Sequence, residues 1–539
     1  MNSKEKNRKN GIADKICHVW QRVTTPTRTP TKTQTPTSVN GKETNNDPAL
    51  FLAASRDGNL AMVRKMIRHN NESIMALLNA QDDKDGQTAL IKACRFDHLH
   101  IVRELLLKCD NVNDNVNDNV DHVVNKPCKL GRTALYWACL EGHIRVIQEL
   151  LKNTNVDVNR TDECGRTALI VASCHQRVAV VRTLIKQCSR LDVNAKDNDG
   201  LTALVYAIHF GDYHIVRALL EHENINVNIK CKCGRTALAW ACSLGRLHVI
   251  RELMKRDDVN VDSTDDHGRT ALVEASHHDH VGVIRELLRQ YDNKKPDVNA
   301  TDEQGRTALI NASRLGHLEN ARELLKHESV NTNIKSTSGC TALAWACYEG
   351  NTDVVSELLI HPRVDANATD KLGNTALIAA SRYGNVDTVK ALLKQNHHVV
   401  DMNMRGELGC TALIAACRYG YLDVVRELVH VETLDFNLKE DKGRTALFLA
   451  IDEGHWEIVD ELLKLDGRLD VNSKGPDGCT VLMWATRLRK LDVVRQLINH
   501  PRLDVNVKNN EGKTALDIAR NLGRFEIEYA ISMRSASSN

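Results

Sequence analysis

A Thr-Ala-Leu motif, once Thr-Val-Leu, recurs along this 539-residue chain at nearly constant spacing. It begins at Thr88, Thr133, Thr167, Thr202, Thr236, Thr270, Thr307, Thr341, Thr375, Thr411, Thr445, Thr480 and Thr514. Successive copies lie 34 to 37 residues apart, except for one step of 45. A degenerate copy at 49–54 precedes them, which gives about fourteen units. A fixed period of this length is typical of repeat architectures, so the sequence predicts a stack of small, similar units.

The unit at 131–153 shows what each copy can fold into. Thr133 is a favourable N-cap, residues 134–141 favour a helix, and Gly142 can end that helix. A second helix follows, with apolar residues between Val146 and Leu151 on one face. Two helices this short cannot bury an apolar face alone, so each unit must stack on its neighbours. The sequence therefore predicts an all-α repeat solenoid of stacked helix-turn-helix units joined by short hairpin loops.

The pattern resembles the ankyrin repeat over about residues 48–530. The shared features are the turn glycine, the Thr-x-Leu start, the alanine five residues after the threonine, the glycine before the second helix and an Asp-Val-Asn tail. One departure recurs, because the Thr-Pro-Leu-His start of the family is here Thr-Ala-Leu followed by another residue type. The family histidine helps to pin neighbouring turns, and we expect apolar packing to take over that role. The resemblance implies a stack of ankyrin repeats that binds proteins without catalysis.

Three segments flank or interrupt the predicted array of residues 48–530. Residues 1–47 are rich in Thr, Pro, Lys and Asn, which predicts a disordered, basic tail. Tandem Asn-Val-Asn-Asp units at about 110–125 predict an insertion in a surface loop. Residues 531–539 are assigned to a C-terminal tail, which follows a last unit with a more polar outer side, as in a capping repeat.

Composition argues against several classes of function. The formal net charge is +2, so the chain as a whole has no excess of basic residues for nucleic acid or an anionic membrane. No stretch of 18 apolar residues is present, and we expect no membrane insertion. Sixteen cysteines without a secretory signal favour reduced thiols inside the cell. We expect a monomeric protein of the cytoplasm, with the nucleus as the alternative.

The sequence lacks the motifs of common catalytic and metal sites. No phosphate-binding loop, nucleophile elbow or zinc-protease helix is present, which predicts a non-enzymatic protein without a cofactor. Five cysteines lie six residues after the motif threonine, where other units have serine, and this indicates a small buried residue. Zinc is the alternative for Cys231, Cys233 and Cys242, which lack a fourth ligand, and for the His-rich segment 265–280. Ordinary polar connections explain both clusters better.

Four tryptophans occupy the same slot, four residues after the motif threonine. They are Trp137, Trp240, Trp345 and Trp484. This register predicts that they pack at the seam between units. The alternative is that they anchor a bound ligand.

The family resemblance implies that partners bind at the hairpin tips and at the exposed ends of the first helices. A basic residue recurs on the hairpin, just before the threonine, at Arg132, Arg166, Arg235, Arg269, Arg306, Arg444 and Lys513. Stacked units would align these residues in an arginine ladder that recognises acidic or phosphorylated segments. Alternatively, the arginine belongs to the repeat consensus and covers a neighbouring side chain.

The residue eight positions after the threonine varies between units, as expected of a binding surface. Three adjacent units place tyrosine and arginine at or beside this position, at Tyr348, Arg382, Tyr383, Arg418 and Tyr419. Because these residue types are common in binding hot spots, the sequence predicts a contact patch there. The alternative is that the aromatic rings pack on the next unit.

These features favour a non-catalytic scaffold or adaptor that binds one or more proteins along the concave face of the solenoid. The alternative is a nucleic-acid-associated regulatory protein that uses the arginine ladder and the basic tail. The near-neutral charge of the array argues against this alternative.

Overall fold

The structure is a computed structural model that describes residues 47–70, 74–111, 123–289, 295–394, 400–465 and 467–537. Regular structure in these ranges is helical, apart from one isolated antiparallel bridge between Lys196 and Thr202. The predicted tail 1–47, except Asp47, and most of the predicted insertion 110–125 lie outside the described residues. None of the described helices is long and apolar enough to cross a membrane.

The described helices alternate between two kinds, as the repeat pattern predicts. The first helices are Pro48–Asp57, Ala89–Arg95, Ala134–Glu141, Ala168–Cys174, Ala203–Phe210, Ala237–Ser243, Ala271–His277, Ala308–Leu315, Ala342–Glu349, Ala376–Tyr383, Ala412–Tyr419, Ala446–Asp452, Val481–Arg487 and Ala515–Asn521. The second helices are Leu60–His69, Leu99–Asn111, Ile144–Lys152, Val178–Gln187, Tyr213–Leu220, Leu247–Met254, Val281–Leu288, Leu318–Leu325, Thr352–Ile360, Val386–Leu393, Leu422–Val429, Trp456–Leu463, Leu491–Asn499 and Phe525–Ser537. One short helix, Ile74–Leu78, and two 3-10 turns, Glu407–Gly409 and Pro476–Gly478, lie between them. The predicted all-α repeat fold is confirmed.

The motif threonine starts the first helix of every repeat that contains it, because it caps the free N–H groups there, and Asp47 takes this role for the helix Pro48–Asp57. In the helix Ala376–Tyr383, the Thr375 hydroxyl accepts a hydrogen bond from the backbone N–H of Ile378 at 3.3 Å. Gly384 then ends the helix with a φ of +71°, a left-handed conformation that suits a residue without a side chain. Threonine and glycine thus set the two ends of this helix.

An acidic residue five positions before the threonine shapes the hairpin. Asp162 Oδ1 accepts hydrogen bonds from the backbone N–H groups of Cys164 and Arg166, at 3.0 and 2.9 Å. Asp302 makes the same pair of bonds to Gln304 and Arg306, both at 2.9 Å. An aspartate at this position therefore stabilises the turn of its own hairpin.

Successive hairpins are also bonded to each other through their backbones. The N–H of Glu163 donates to the carbonyl of Leu130 in the preceding hairpin at 3.1 Å. A Cβ atom at Gly131 would lie 2.9 Å from the nitrogen of Glu163. Glycine is therefore required at this point by the close approach of the two backbones, as well as by its φ of +76°.

The two kinds of helix are buried to different extents. All seven residues of the first helix Ala168–Cys174 are buried, because it packs between the first helices of its two neighbours. The second helix Val178–Gln187 buries Val180, Val181 and Leu184 on one face, and its other residues are at least partly accessible. The core therefore runs mainly through the first helices.

The chain forms two compact units, Met1–Trp240 and Ala241–Asn539. Within each unit, first helices pack on neighbouring first helices, and second helices pack on neighbouring second helices. Each unit is therefore a stack whose core grows by one helix pair per repeat.

Asparagines in the closing loops form a second link between neighbouring repeats. Asn403 donates through Nδ2 to the carbonyl of Thr433 and accepts at Oδ1 from the N–H of Asp435, both at 2.9 Å. The asparagines that make this double bond to the next repeat are Asn125, Asn159, Asn194, Asn299, Asn333, Asn403, Asn437 and Asn472. Neighbouring repeats are thus joined by polar bonds as well as by the expected apolar packing, and the sequence analysis missed these bonds.

The last helix, Phe525–Ser537, runs across the predicted array boundary at residue 530. Phe525, Tyr529 and Met533 on this helix are 79%, 68% and 57% exposed. The outer side of the last repeat therefore keeps large apolar side chains, although the sequence analysis predicts a more polar surface there.

Candidate functional site

Most of the arginines proposed as a ladder are held by acids of their own hairpins. The acid lies four residues earlier in each case, and the N–O distance is 2.6 to 2.9 Å. The pairs are Arg166–Asp162, Arg269–Asp265, Arg306–Asp302 and Arg444–Glu440. These guanidinium groups therefore brace the hairpin turns.

Arg166 is the most enclosed of these residues, because only 6% of its surface is exposed. It bonds to Asp162 Oδ2 through both Nε and Nη2, at 3.0 and 2.8 Å, and the Tyr136 hydroxyl donates to the same oxygen at 2.9 Å. Arg132 and Arg235 instead lie over the rings of Trp137 and Trp240, each 5.3 Å from the ring centre. These contacts correspond to the second alternative, in which arginine covers its neighbours, and anion recognition by the ladder stays a prediction.

The three predicted tyrosines are all exposed at the ends of consecutive first helices. Tyr348, Tyr383 and Tyr419 are 39%, 41% and 45% exposed. The hydroxyl groups of Tyr348 and Tyr383 are hydrogen-bonded, and their ring centres are 4.3 Å apart. Burial and the bond to Tyr383 raise the pKa of Tyr348 above its ordinary value. These two rings form a single aromatic surface.

The two predicted arginines lie between the tyrosines and the next hairpins. Arg382 pairs with Glu407 and stands 5.8 Å above the ring centre of Tyr419. Arg418 pairs with Glu440 at 2.6 Å, and 16% of its side chain is exposed. Both arginines are therefore engaged by carboxylates, and the tyrosines are the more exposed residues of this set.

Two leucines at the hairpin tips of the same repeats are also exposed, and the sequence analysis missed them. Leu372 and Leu408 are each 55% exposed. Each directly precedes the turn glycine, where most other repeats place a polar residue or cysteine, so an apolar residue in that slot was an available signal. We call the set Tyr348, Leu372, Tyr383, Leu408 and Tyr419 the tyrosine–leucine patch.

Three of the four tryptophans contact the preceding repeat, as their register predicts. Trp137 lies beneath Arg95, Trp240 packs edge-on against His209, and Trp484 bonds to Asp452. Trp137 and Trp240 are buried. Trp345 donates to the Ser336 hydroxyl at 3.2 Å, and Trp484 donates to Asp452 of the preceding repeat at 2.8 Å. Their rings serve packing within the stack.

The cysteines six residues after the threonine are enclosed. Cys94, Cys139, Cys242, Cys347 and Cys417 each have 0% of their surface exposed. Burial raises the pKa of each of these thiols well above its ordinary value, which leaves them protonated and unreactive. The structure thus places small buried residues in this slot.

The side chains of the two clusters considered for zinc are paired with one another or with other groups. Asp265 is engaged by Arg269, and His278 bonds to Glu274 at 3.3 Å. Cys231 and Cys233 do contact each other, with their sulfur atoms 2.9 Å apart. In the part of the chain that the structure describes, no three His, Cys, Asp or Glu side chains converge in a metal-binding group.

Comparison with known proteins gives a family. The model of the family described as "Ankyrin repeats (3 copies)" matches eleven overlapping segments of the chain. They are 33–118, 112–197, 154–231, 187–265, 204–297, 245–335, 291–370, 328–405, 356–440, 396–474 and 465–530. No curated protein matches the chain.

Two solved structures are similar to parts of the chain. The ankyrin repeat domain of Bcl-3, described as a unique member of the IkappaB protein family, is 24% identical, with a TM-score of 0.36. That match covers 40% of this chain and 93% of the Bcl-3 chain. The ankyrin repeat protein EF0377 is 25% identical over 39% of this chain and 100% of its own, with a TM-score of 0.35. The family description matches nearly all of the described residues, and the helix pairs, threonine caps and hairpins recur throughout, so this chain belongs to the ankyrin repeat family.

Proposed function

We propose that this chain is a non-catalytic scaffold or adaptor that binds partner proteins at the tyrosine–leucine patch. Ankyrin repeats are in general protein–protein interaction modules, and the chain is composed largely of them. The single observation that supports this surface is the exposure of five large apolar side chains on consecutive repeats of one compact unit. Exposed large apolar side chains grouped on neighbouring repeats are typical of interaction sites.

The patch is held in place before any partner arrives. The hydroxyl bond between Tyr348 and Tyr383 fixes two rings relative to each other. Arg382 ties the hairpin of Leu408 to the helix of Tyr383 through Glu407, and its guanidinium group lies over Tyr419. Because these side chains lose little freedom on binding, more of their contact energy becomes affinity.

The partner chemistry that suits this surface is an apolar or aromatic segment of a protein. Tyrosine rings and leucine side chains gain most from burying apolar area, and tyrosine hydroxyls can bond to a backbone at the edge. Different partners can use other repeats, since each repeat presents its own variable residue at the end of the first helix.

The nucleic-acid alternative receives less support from the contacts of the arginines. An arginine that binds phosphate must offer its guanidinium group, but Arg166, Arg269, Arg306 and Arg444 are engaged by carboxylates. We also propose that the protein is monomeric and cytoplasmic, with the nucleus as the alternative location. Free thiols at every described cysteine agree with a reducing compartment.

The test combines identification of partners with variants of the patch. Partners are found by crosslinking mass spectrometry in native cells and then measured against the purified chain. Tyr383→Ala together with Tyr419→Ala should weaken binding by about 30-fold or more, since the loss of even one hot-spot tyrosine costs about 2 kcal/mol. The matched control is Tyr529→Ala, which removes an exposed tyrosine of the same unit outside the patch. Undiminished binding by a folded double variant would contradict the proposed site.

A further inference from the structure

The hairpin that begins at Cys231 brings two thiols into contact. Cys231 and Cys233 are two residues apart, and their sulfur atoms lie 2.9 Å from each other. The hairpin backbone is closed by the N–H of Cys231, which donates to the Arg235 carbonyl at 3.1 Å. A disulfide bond is about 2.05 Å long, so the two sulfurs need to move by less than about 1 Å to form one.

This contact follows from the shape of the hairpin. Ser336 and Ser338 occupy the same two positions of another repeat, five and three residues before the motif threonine. Their hydroxyl oxygens are 2.8 Å apart. Two hairpins with different side chains thus place these positions in contact, so the proximity of the thiols belongs to the fold.

Cys231 also occupies the position that holds a hydrogen-bond acceptor in other hairpins. Asp162 accepts two backbone N–H bonds there, from residues two and four positions later. The S–H group of Cys233 and the backbone N–H groups of Cys233 and Arg235 lower the pKa of Cys231, against the effect of its burial. The same contact raises the pKa of Cys233. This hairpin therefore favours a thiolate on Cys231 beside a protonated thiol on Cys233.

We propose that Cys231 and Cys233 are a redox-active pair, a modification site at which peroxide converts the two thiols into one disulfide. The Cys231 thiolate attacks one peroxide oxygen, the O–O bond breaks, and the leaving hydroxide takes up a proton to form water. The Cys233 sulfur then attacks the sulfur of the Cys231 sulfenic acid and loses its proton, and the S–O bond breaks to release a second water. Two thiols are oxidised and one peroxide is reduced to two waters.

Cys231 is 7% exposed and Cys233 is half-buried, so the oxidant must be small. Hydrogen peroxide meets this condition. The site belongs to the unit Met1–Trp240, whereas the tyrosine–leucine patch belongs to the unit Ala241–Asn539. The inference does not depend on the proposed function.

The chain contains matched hairpins that hold one thiol each. Cys128 occupies the position of Cys231, but Leu130 stands in the position of Cys233. Cys164 occupies the position of Cys233, but Asp162 stands in the position of Cys231. These two cysteines are controls within the same molecule, because each lacks the second thiol of the pair in its own hairpin.

The test treats the reduced full-length protein with increasing hydrogen peroxide, blocks the remaining thiols with N-ethylmaleimide in denaturant and maps the cysteines by mass spectrometry. The expected result is loss of two thiols per chain as a Cys231–Cys233 disulfide, at a dose that leaves Cys128 and Cys164 alkylated. Dithiothreitol should restore both thiols. The proposal would be overturned if Cys231 and Cys233 were still reduced, and therefore alkylated, at a peroxide dose that oxidises Cys164. It would also be overturned if both were oxidised without forming a disulfide with each other.

Two serine variants separate the roles of the thiols. In Cys233→Ser, the sulfenic acid on Cys231 has no partner thiol in the hairpin and should be trapped by dimedone. In Cys231→Ser, dimedone labelling of Cys233 should be at least tenfold lower than the labelling of Cys231 in Cys233→Ser. Ser336 and Ser338 show that this hairpin type accommodates hydroxyls, and circular dichroism checks folding. Equal labelling of the two variants would overturn the assignment of Cys231 as the attacking group.

Discussion

Arg166 shows how one residue type can indicate binding in the sequence and serve stability in the structure. The Gly-Arg-Thr-Ala-Leu pattern predicts both a ladder of positive charge and an arginine that covers its neighbour. The structure adds Asp162, whose carboxylate is 2% exposed and accepts from Arg166, Tyr136 and the backbone. A carboxylate buried to this extent needs its cation, because an unpaired buried charge is costly.

Replacement of Arg166 by alanine should lower the free energy of unfolding by about 3 kcal/mol, because it removes the closest cation from the buried Asp162 and leaves only Arg132, 3.9 Å away. Arg217→Ala is the control, since Arg217 and Glu221 form an exposed pair with side chains 62% and 65% accessible. That change should stay within about 0.5 kcal/mol. Urea unfolding followed by circular dichroism measures both, and equal effects would contradict the bracing role of Arg166.

We expect His277 to make the free energy of unfolding depend on pH. Burial, followed by the nearby His278, lowers the pKa of His277 to about 4. An unfolded histidine titrates near 6.5, so between about pH 6.5 and 4 the unfolded chain binds a proton that the folded chain does not. Stability should therefore fall as the pH drops through this window.

The measurement compares urea unfolding at pH 7.5 and pH 5.0 for the natural chain and for His277→Gln. The natural chain should lose more stability at pH 5.0 than the variant, which lacks the titrating group. If the two chains lose the same amount, other groups cause the dependence and the role of His277 is wrong.

At the scale of the element, the asparagine of the closing loop is the feature that the sequence analysis undervalued. The Asp-x-Asn tail predicts a tight turn within one repeat. In the structure, the amide of Asn403 reaches the next repeat and bonds to Thr433 and Asp435. The amide suits this role because it offers one donor and one acceptor, whereas a carboxylate offers only acceptors.

Asn403→Ala should destabilise the chain by about 2 kcal/mol, because it removes two hydrogen bonds between repeats. Asn403→Asp keeps the acceptor toward Asp435 but loses the donor toward Thr433, and it should also lower stability. Thermal unfolding of the two variants beside the natural chain measures these effects. Unchanged stability in both would show that apolar packing alone joins these repeats.

The ends of the helices could be predicted from the sequence more easily than the contacts between repeats. Thr133 and Gly142 indicate the start and end of a helix through local backbone chemistry, and the helix is Ala134–Glu141. The exposure of Leu372 and Leu408 depends on the neighbouring hairpins, so a single repeat read alone did not reveal it. Contacts between repeats join residues about 30 to 40 positions apart, and their geometry depends on the stack.

For the whole molecule, stability is expected to be a sum over repeats and their interfaces. Deletion of residues 307–340 removes one whole period and joins Arg306 to Thr341, which restores the usual Arg-Thr junction. The remaining first helices Ala271–His277 and Ala342–Glu349 can then pack on each other as neighbours do elsewhere. We expect a folded protein with the same helix content per residue.

The control deletes residues 307–323, which removes the first helix Ala308–Leu315 and cuts the second helix Leu318–Leu325. This half-period change leaves buried faces without partners, so helix content should fall. Circular dichroism and differential scanning calorimetry compare the two deletions. Loss of folding in the whole-period deletion would contradict the independence of the repeats.

The sequence by itself determined the repeat period, the helix pairs and the family, because these depend on local capping, turn chemistry and apolar spacing within about 34 residues. Only the tertiary structure decided which polar groups meet. The Arg166–Asp162 pair, the asparagine bonds and the contact between Cys231 and Cys233 depend on side-chain directions in folded hairpins and between stacked repeats. The physical reason is that a short period specifies each backbone turn locally, while contact between side chains requires positions and directions that arise when the turns fold and stack.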